Sequence, residues 1–151
     1  GKERNMICKA TTDDVRVLAE FASALWPERS ADEIESIFER QLGGDSDSAF
    51  FICYHEGGPV GFALCQLRHD YVEGTLTSPV GYLEGIYVRK EFRRSGHARE
   101  LLDECEKWAR LMGCKEFASD CRLSNEGSLR FHRDCGFDEV NTIVCFVKKL
   151  L

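Results

Sequence analysis

Proline is rare in this chain, with three residues in 151, and no uninterrupted apolar run reaches the about 18 residues of a membrane-spanning helix. The first ten residues are polar and lack the apolar segment of a signal peptide. Basic residues are outnumbered, with 20 Lys and Arg against 26 Asp and Glu, which gives a net charge of −6. Nucleic-acid binding usually needs a basic face, so this charge argues against it. The charge is compatible with a cationic small-molecule substrate, and the alternative is that it only keeps the protein soluble. We expect a cytoplasmic protein without membrane or nucleic-acid partners.

The cysteines form no recognisable metal-binding or disulfide pattern. There are eight of them, and none belongs to a CxxC pair or to a Cys/His cluster with zinc-site spacing. Several lie within apolar runs such as FFICYH and TIVCFV, where a thiol behaves as a small buried hydrophobic group. We therefore expect reduced cysteines, no disulfide framework and no metal.

The chain contains no repeat, low-complexity tract or linker, and its 151 residues suit one domain. We predict a single domain over residues 1–151. Because the sequence opens with Gly1 and not methionine, we expect residues 1 to about 5 to be a tag remnant or a disordered end.

Hydrophobic periodicity predicts an α/β domain in the order β-α-α-β-β-β-α-β-α-β. The first helix would begin at an N-cap of Thr12 or Asp13 and end at Pro27, and Ser30 would cap the second helix. The final strand would be NTIVCFVKKL. This order predicts a mixed sheet flanked by helices, with one right-handed parallel β-α-β unit over residues 83–120. Ligands of such sheets bind beyond the carboxyl ends of the strands.

A basic segment follows the strand LEGIYV and precedes an amphipathic helix. It reads Arg93-x-x-Gly96-x-Ala98. A helix start offers free N–H groups, a glycine allows close backbone approach, and arginines bind phosphate oxygens. The segment is neither a Walker A loop nor GxGxxG, and the alternative is an ordinary basic turn.

This segment resembles the Q/R-x-x-G-x-G/A signature of the GNAT superfamily of N-acetyltransferases. The element order is similar to the GNAT fold over nearly the whole chain, and Asn125 with FHRDCGF (131–137) resembles the family's N…Y-x-x-x-G-F segment. The resemblance implies a mostly antiparallel sheet and acetyl-CoA as cosubstrate.

Four separated segments resemble the aminoglycoside 6′-N-acetyltransferases in particular. They are LWP (25–27), RHDYV (68–72), SPVGYLEGIYV (78–88) and ASD (118–120). The resemblance implies transfer of an acetyl group to the 6′ amine of an aminoglycoside, which gives antibiotic resistance, by direct attack of the amine on the thioester. It also implies a homodimer, for which the apolar final strand could supply an edge.

On the substrate side, a polycationic sugar calls for carboxylates and flat aromatic groups. Glu84 interrupts an apolar strand and Asp120 ends the neighbouring one, so both are candidate catalytic and substrate-binding carboxylates. The resemblance to the aminoglycoside group implies that Glu84 contacts the substrate amine, and that Asp120 binds the reactive amino group and could act as its general base. The alternatives are an outward-facing side chain for Glu84 and a helix cap for Asp120. The other substrate-binding candidates are Trp26, His69, Asp70 and Tyr71. For Trp26 the alternative is core packing, and for Asp70 it is a solvated loop.

On the cofactor side, the resemblance assigns pyrophosphate binding to the loop and oxyanion stabilisation to backbone N–H groups of the preceding strand. The residues are Ile86, Tyr87, Val88, Arg93, Arg94, Ser95, Gly96, His97 and Ala98. Asn125 would bind pantetheine, or else cap a helix. His132 stands where many relatives have a tyrosine that protonates the coenzyme A thiolate. It could donate that proton or only pack on pantetheine, because a thiolate leaves readily at neutral pH.

Three other interpretations remain at this point. A related enzyme could acetylate a polyamine, a protein N-terminus or a lysine. A non-catalytic acyl-CoA sensor would keep the loop but would not need Glu84 and Asp120. A globular domain with an accidental basic turn would bind no coenzyme A.

Overall fold

The computed structural model describes residues 5–151, which form a five-stranded sheet with helices on both faces. The strands are β1 (Asn5–Lys9), β2 (Ser48–His55), β3 (Gly58–Arg68), β4 (Val80–Val88) and β5 (Phe117–Ser119). The helices are α1 (Val15–Ser23), α2 (Ala31–Gly44), α3 (His97–Leu111) and α4 (Glu126–Asp134), with 3₁₀ turns at Thr12–Asp14 and Lys90–Phe92. The tag remnant or disordered end predicted for residues 1 to about 5 lies outside the described residues except for Asn5, which begins β1.

The sheet order is β1-β2-β3-β4-β5, antiparallel except for the last pair. The parallel β4–β5 pair is joined through α3, which confirms the predicted β-α-β unit. This pairing is short, because β5 meets β4 only from Gly81 to Leu83. Beyond Leu83, β4 continues to Val88 beside β3 alone among the described strands. The two parallel strands therefore diverge and leave a gap at their carboxyl ends.

Two apolar layers hold the helices against the sheet. One packs α3 on β4 and its neighbours through Leu83, Leu101 and Leu102, and the other packs α1 and α2 through Leu18 and Phe62. Burial of each such side chain contributes about 1.5–3 kcal/mol. The gap between β4 and β5 is thus framed by a rigid, packed scaffold.

Two local predictions at the first helices have different outcomes. Ser30 caps α2 as predicted, accepting a hydrogen bond from the Glu33 amide at 3.1 Å. The predicted caps Thr12 and Asp13 are wrong, because they lie inside a 3₁₀ turn. Thr11 precedes that turn, and its amide donates to the Asp14 carboxylate at 2.9 Å. The helix also ends at Ser23, before Pro27.

The predicted final strand is wrong for the isolated chain. Residues 137–151 carry no regular secondary structure, and Phe146 and Val147 are more than nine-tenths exposed. A strand requires a hydrogen-bonded neighbour, and the described sheet does not include this segment. Its apolar composition is therefore left without a partner within the described chain.

No helix among residues 5–151 has the length and apolar character required to cross a bilayer.

Candidate active site where β4 and β5 diverge

Glu84 occupies a β-bulge in β4. The pairing with β3 passes from Leu83–Cys65 to Gly85–Leu64, so that Glu84 is the extra residue. A bulge bends a strand and redirects a side chain, which explains how a carboxylate enters an otherwise apolar strand. Next to it, a Cβ on Gly85 would lie 3.2 Å from the Trp26 ring, closer than most side-chain contacts. Gly85 therefore lets the indole approach the bulge.

Arg68 neutralises Glu84. Its Nε and Nη2 atoms both donate to Glu84 Oε1, at 3.1 and 2.8 Å. The guanidinium carbon also lies 3.5 Å from the centroid of the Tyr82 ring, a cation–π stack. Glu84 is thus a paired, partly buried carboxylate and not the outward-facing residue of the alternative interpretation.

Asp120 follows β5 directly and is exposed. Its Oδ2 accepts a hydrogen bond from the Tyr82 hydroxyl. Burial, and secondarily this hydrogen bond, raise the pKa of Tyr82 above its ordinary value, so the phenol remains a proton donor. The cap of α4 is Asn125, whose Oδ1 accepts from the Ser128 amide at 3.1 Å, so Asp120 is not that cap.

His132 lies beside the same strand end. Its Nδ1 is 2.6 Å from the Ser128 carbonyl oxygen, which can only accept, so Nδ1 carries a proton. Its Nε2 is 2.8 Å from the Ser119 hydroxyl. In the neutral ring Nε2 therefore accepts from Ser119, and only the imidazolium carries a proton there.

A cleft of about 1050 Å³ lies beside Tyr82, Asp120 and His132, whereas Glu84 is not among its lining residues. Arg68, Tyr71, Tyr82, Asp120 and His132 all contribute to its lining. Six carboxylates and five cationic side chains line it, so the cleft is not strongly acidic as a whole. An ammonium group would be bound by an individual carboxylate such as Asp120.

Of the remaining substrate candidates, Tyr71 lines this cleft, whereas Trp26, His69 and Asp70 are not among its lining residues. Trp26 packs edge-on against Phe38 at a centroid distance of 6.3 Å while staying partly exposed, so core packing accounts for part of its surface. His69 is paired with Asp47 at 2.9 Å. Asp70 is exposed, and Tyr71 is 76% exposed.

The basic segment forms a tight turn at the N-terminus of α3. Gly96 is the N-cap with φ of +85°, a conformation that favours glycine, and Arg94 also has a positive φ of 63°. Arg93 Nε donates to the Val88 carbonyl at 2.8 Å, which ties the turn to the end of β4. The His97 side chain is buried with Nδ1 3.5 Å from Cys53 Sγ, so His97 can offer a ligand its backbone amide only. The turn presents a helix N-terminus suited to an anion.

The oxyanion candidates Ile86, Tyr87 and Val88 lie in the part of β4 beyond its pairing with β5. Ser95 and Ala98 lie in and directly after the turn.

Arg68, Tyr82 and Ser119 are residues of the candidate site that the sequence did not predict. Tyr82 precedes Glu84 by two positions on β4, but the bulge at Glu84 interrupts the alternation of the strand, so this spacing does not indicate the contact.

Among residues 5–151, the structure contains no group of three His, Cys, Asp or Glu side chains arranged to hold a metal ion. All eight cysteines lie within the described range as free thiols.

Comparison with known proteins places this geometry in a family. Residues 15–137 match the model of the acetyltransferase (GNAT) family. The aminoglycoside N(6′)-acetyltransferase type 1 of Stenotrophomonas maltophilia is 41% identical over 140 residues, which cover 93% of this chain and 90% of that protein. A solved structure of AAC(6′)-Iy with the bisubstrate analogue CoA-S-monomethyl-acetylneamine is 32% identical, with a TM-score of 0.92 and coverage of 97% and 99% of the two chains. That of AAC(6′)-IG from Acinetobacter haemolyticus is 35% identical, with a TM-score of 0.90 and coverage of 96% and 99%. The chain therefore belongs to the acetyltransferase (GNAT) family, among relatives that are aminoglycoside 6′-N-acetyltransferases.

Proposed function

We propose that this protein is an acetyl-CoA-dependent acyltransferase that transfers the acetyl group to the 6′-amino group of aminoglycosides. One observation carries the proposal: the carboxylate of Asp120 and the helix N-terminus at Gly96 both lie beyond the carboxyl ends of two adjacent parallel strands. A cationic amine and an anionic cosubstrate would meet in the gap between them. The relatives described above are named as aminoglycoside acetyltransferases, which supports the same substrate class here.

Acetyl-CoA would lie along the turn and along the part of β4 that extends beyond its pairing with β5. Backbone amides of Arg94 to Ala98 would bind the pyrophosphate, with Arg93 holding the turn in place. Backbone N–H groups of Ile86 to Val88 would stabilise the oxyanion, as preorganised donors do in acyl transfer. Asn125 uses Oδ1 for its cap, so its Nδ2 is the atom that would donate to pantetheine.

The amine would be bound and deprotonated on the Asp120 side of the gap. Asp120 would hold the reactive amine and accept its proton directly or through water, while Glu84, Trp26, Asp70 and Tyr71 would bind the rest of the polycation. His69 would contribute only after leaving Asp47. His132 would protonate the departing thiolate in its imidazolium form, since the neutral ring has no proton on Nε2. Acetylation would remove a positive charge that the drug uses on RNA phosphates, which explains resistance.

The test is acetyl-CoA-dependent thiol release across a small panel of amines. We expect turnover with kanamycin or tobramycin, and none with a matched aminoglycoside that has a 6′ hydroxyl. Turnover only with spermidine or a lysine peptide would contradict the substrate and keep the acetyltransferase chemistry. Coenzyme A binding without turnover of any amine would favour the sensor.

We also propose that two copies form a homodimer through residues 141–151. This segment is anchored at its start, where Val140 packs near Gly74 and Asn141 Nδ2 donates to Glu73 at 2.7 Å. Beyond that point Ile143, Val144, Phe146 and Val147 are exposed by 65 to 95%. Contiguous exposed apolar residues of this β-branched kind are typical of a strand that pairs with another chain. The edge of β5 in a second copy is the surface such a strand would join.

Replacing Phe146 and Val144 by aspartate is expected to convert the dimer to a monomer, because charges would be buried in the new interface. Sedimentation velocity should give twice the 17.2 kDa chain mass for the unmodified protein and the single mass for the variant. Leu111→Asp is the matched control, since Leu111 is a similarly exposed apolar side chain on α3. A monomeric unmodified protein at micromolar concentration would overturn the proposal.

We further propose that the protein acts in the cytoplasm, as one domain over residues 1–151. Free cysteines are the usual state there, and acetyl-CoA would be the cosubstrate.

A further inference from the structure

Tyr82 lies between the two carboxylates of the site. Its side chain is 6% exposed, and its hydroxyl donates to Asp120 Oδ2. The Tyr82 ring also contacts Arg68. The guanidinium carbon of Arg68 lies 3.5 Å from the ring centroid, and the same guanidinium binds Glu84. The Tyr82 side chain therefore contacts Asp120 directly and Glu84 through Arg68.

Asp120 needs such a contact to hold a fixed position. It is exposed and follows β5, which has only three residues and no further pairing beyond Ser119. A carboxylate at the end of a short strand can rotate among several orientations. The hydrogen bond from a buried phenol fixes Oδ2 and leaves Oδ1 as the atom available to an amine.

Arg68 restricts the ring in turn. Two of its nitrogens bind one oxygen of Glu84, and its planar face lies on the phenol. Planar stacking together with this forked hydrogen bonding is specific to arginine. The ring is thus held from one side by the packed sheet and from the other by Arg68.

We propose that Tyr82 is a positioning residue that aims the Asp120 carboxylate at the substrate amine, with Arg68 clamping its ring. The inference rests on the proposed acetyl transfer and deepens it. Tyr82 does not need to contact substrate; it acts through Asp120.

The test is a double-mutant cycle of Tyr82→Phe and Asp120→Ala. Phenylalanine keeps the ring and the Arg68 stack and removes only the hydroxyl. In the unmodified background we expect kcat to fall about 10- to 100-fold, the range for losing a hydrogen bond to a charged group. The KM for the aminoglycoside should change less than about 3-fold, because the remaining contacts with the polycation persist. In the Asp120→Ala background, Tyr82→Phe should change kcat by less than about 2-fold.

Tyr54→Phe is the matched control, because Tyr54 is a partly buried phenol on β2, two strands away from β4. It should leave kcat unchanged, and thermal unfolding should show that all variants are folded. Equal losses from Tyr82→Phe in both backgrounds would indicate a merely structural role and overturn the inference.

The two proposals can fail separately. Additive losses in a protein that acetylates aminoglycosides overturn the positioning role alone. If the panel identifies another amine, the substrate proposal fails, and a non-additive cycle with that amine still supports Tyr82. Inactivity with every amine overturns both.

Discussion

Replacing Asp120 by asparagine is expected to lower kcat/KM for aminoglycoside acetylation by about 10²- to 10⁴-fold, the usual contribution of a positioned acid or base. Asparagine has nearly the shape of aspartate and can still accept the hydrogen bond from Tyr82. The variant therefore removes the charge that we propose binds the ammonium and the group that we propose accepts its proton. Initial rates of thiol release over a range of aminoglycoside concentrations measure the loss.

Asp134→Asn is the control for removing one negative charge from the protein. Asp134 is exposed at the end of α4 and has no proposed role in the reaction. Its rates should match those of the unmodified protein. If Asp120→Asn kept a kcat/KM within about 3-fold of the original, Asp120 would be neither the base nor the principal amine-binding group.

Replacing Gly96 by alanine is expected to weaken coenzyme A binding by about 10-fold or more. A Cβ at φ of +85° is strained by about 1–2 kcal/mol, and relief of that strain would move the amides that we propose bind the pyrophosphate. A Cβ there would meet no other atom within 4 Å, so the strain comes from the backbone alone. Titration calorimetry with coenzyme A measures the change in Kd.

Gly113→Ala separates this effect from simple destabilisation. Gly113 has φ of +90°, also has open space around it, and follows the other end of α3. Both variants should lower the melting temperature to a similar degree, but only Gly96→Ala should raise the Kd. An equal rise in Kd for both would show that the turn has no specific role in binding.

The strand, turn and helix of the proposed cofactor side were predictable because they depend on local sequence. Apolar β4, the glycine at the turn and the amphipathic α3 each have a signal within a few residues. The GNAT resemblance that these segments carry is confirmed by the family match over residues 15–137.

The substrate side was only partly predictable, because it depends on contacts between distant residues. Glu84 and Asp120 were expected at one sheet edge. The alternation of apolar and polar residues along a strand, however, cannot reveal the bulge that redirects Glu84. Their partners Arg68 and Tyr82 were missed, because neither pairing follows from spacing along the chain. His97 was expected to bind the cofactor, and the burial of its side chain beside Cys53 depends on a residue 44 positions away along the chain. The prediction of a final strand was wrong because composition alone does not make a strand. The segment has a strand-like composition, but the described sheet offers it no hydrogen-bonded neighbour.

The central claim is that this site acetylates the 6′ amine of an aminoglycoside. The most direct measurement is nuclear magnetic resonance of the product formed from kanamycin and acetyl-CoA. The account predicts a single mono-acetylated product, with the acetyl group on the 6′ nitrogen. An acetyl group on any other nitrogen, or no acetylated drug at all, would contradict it.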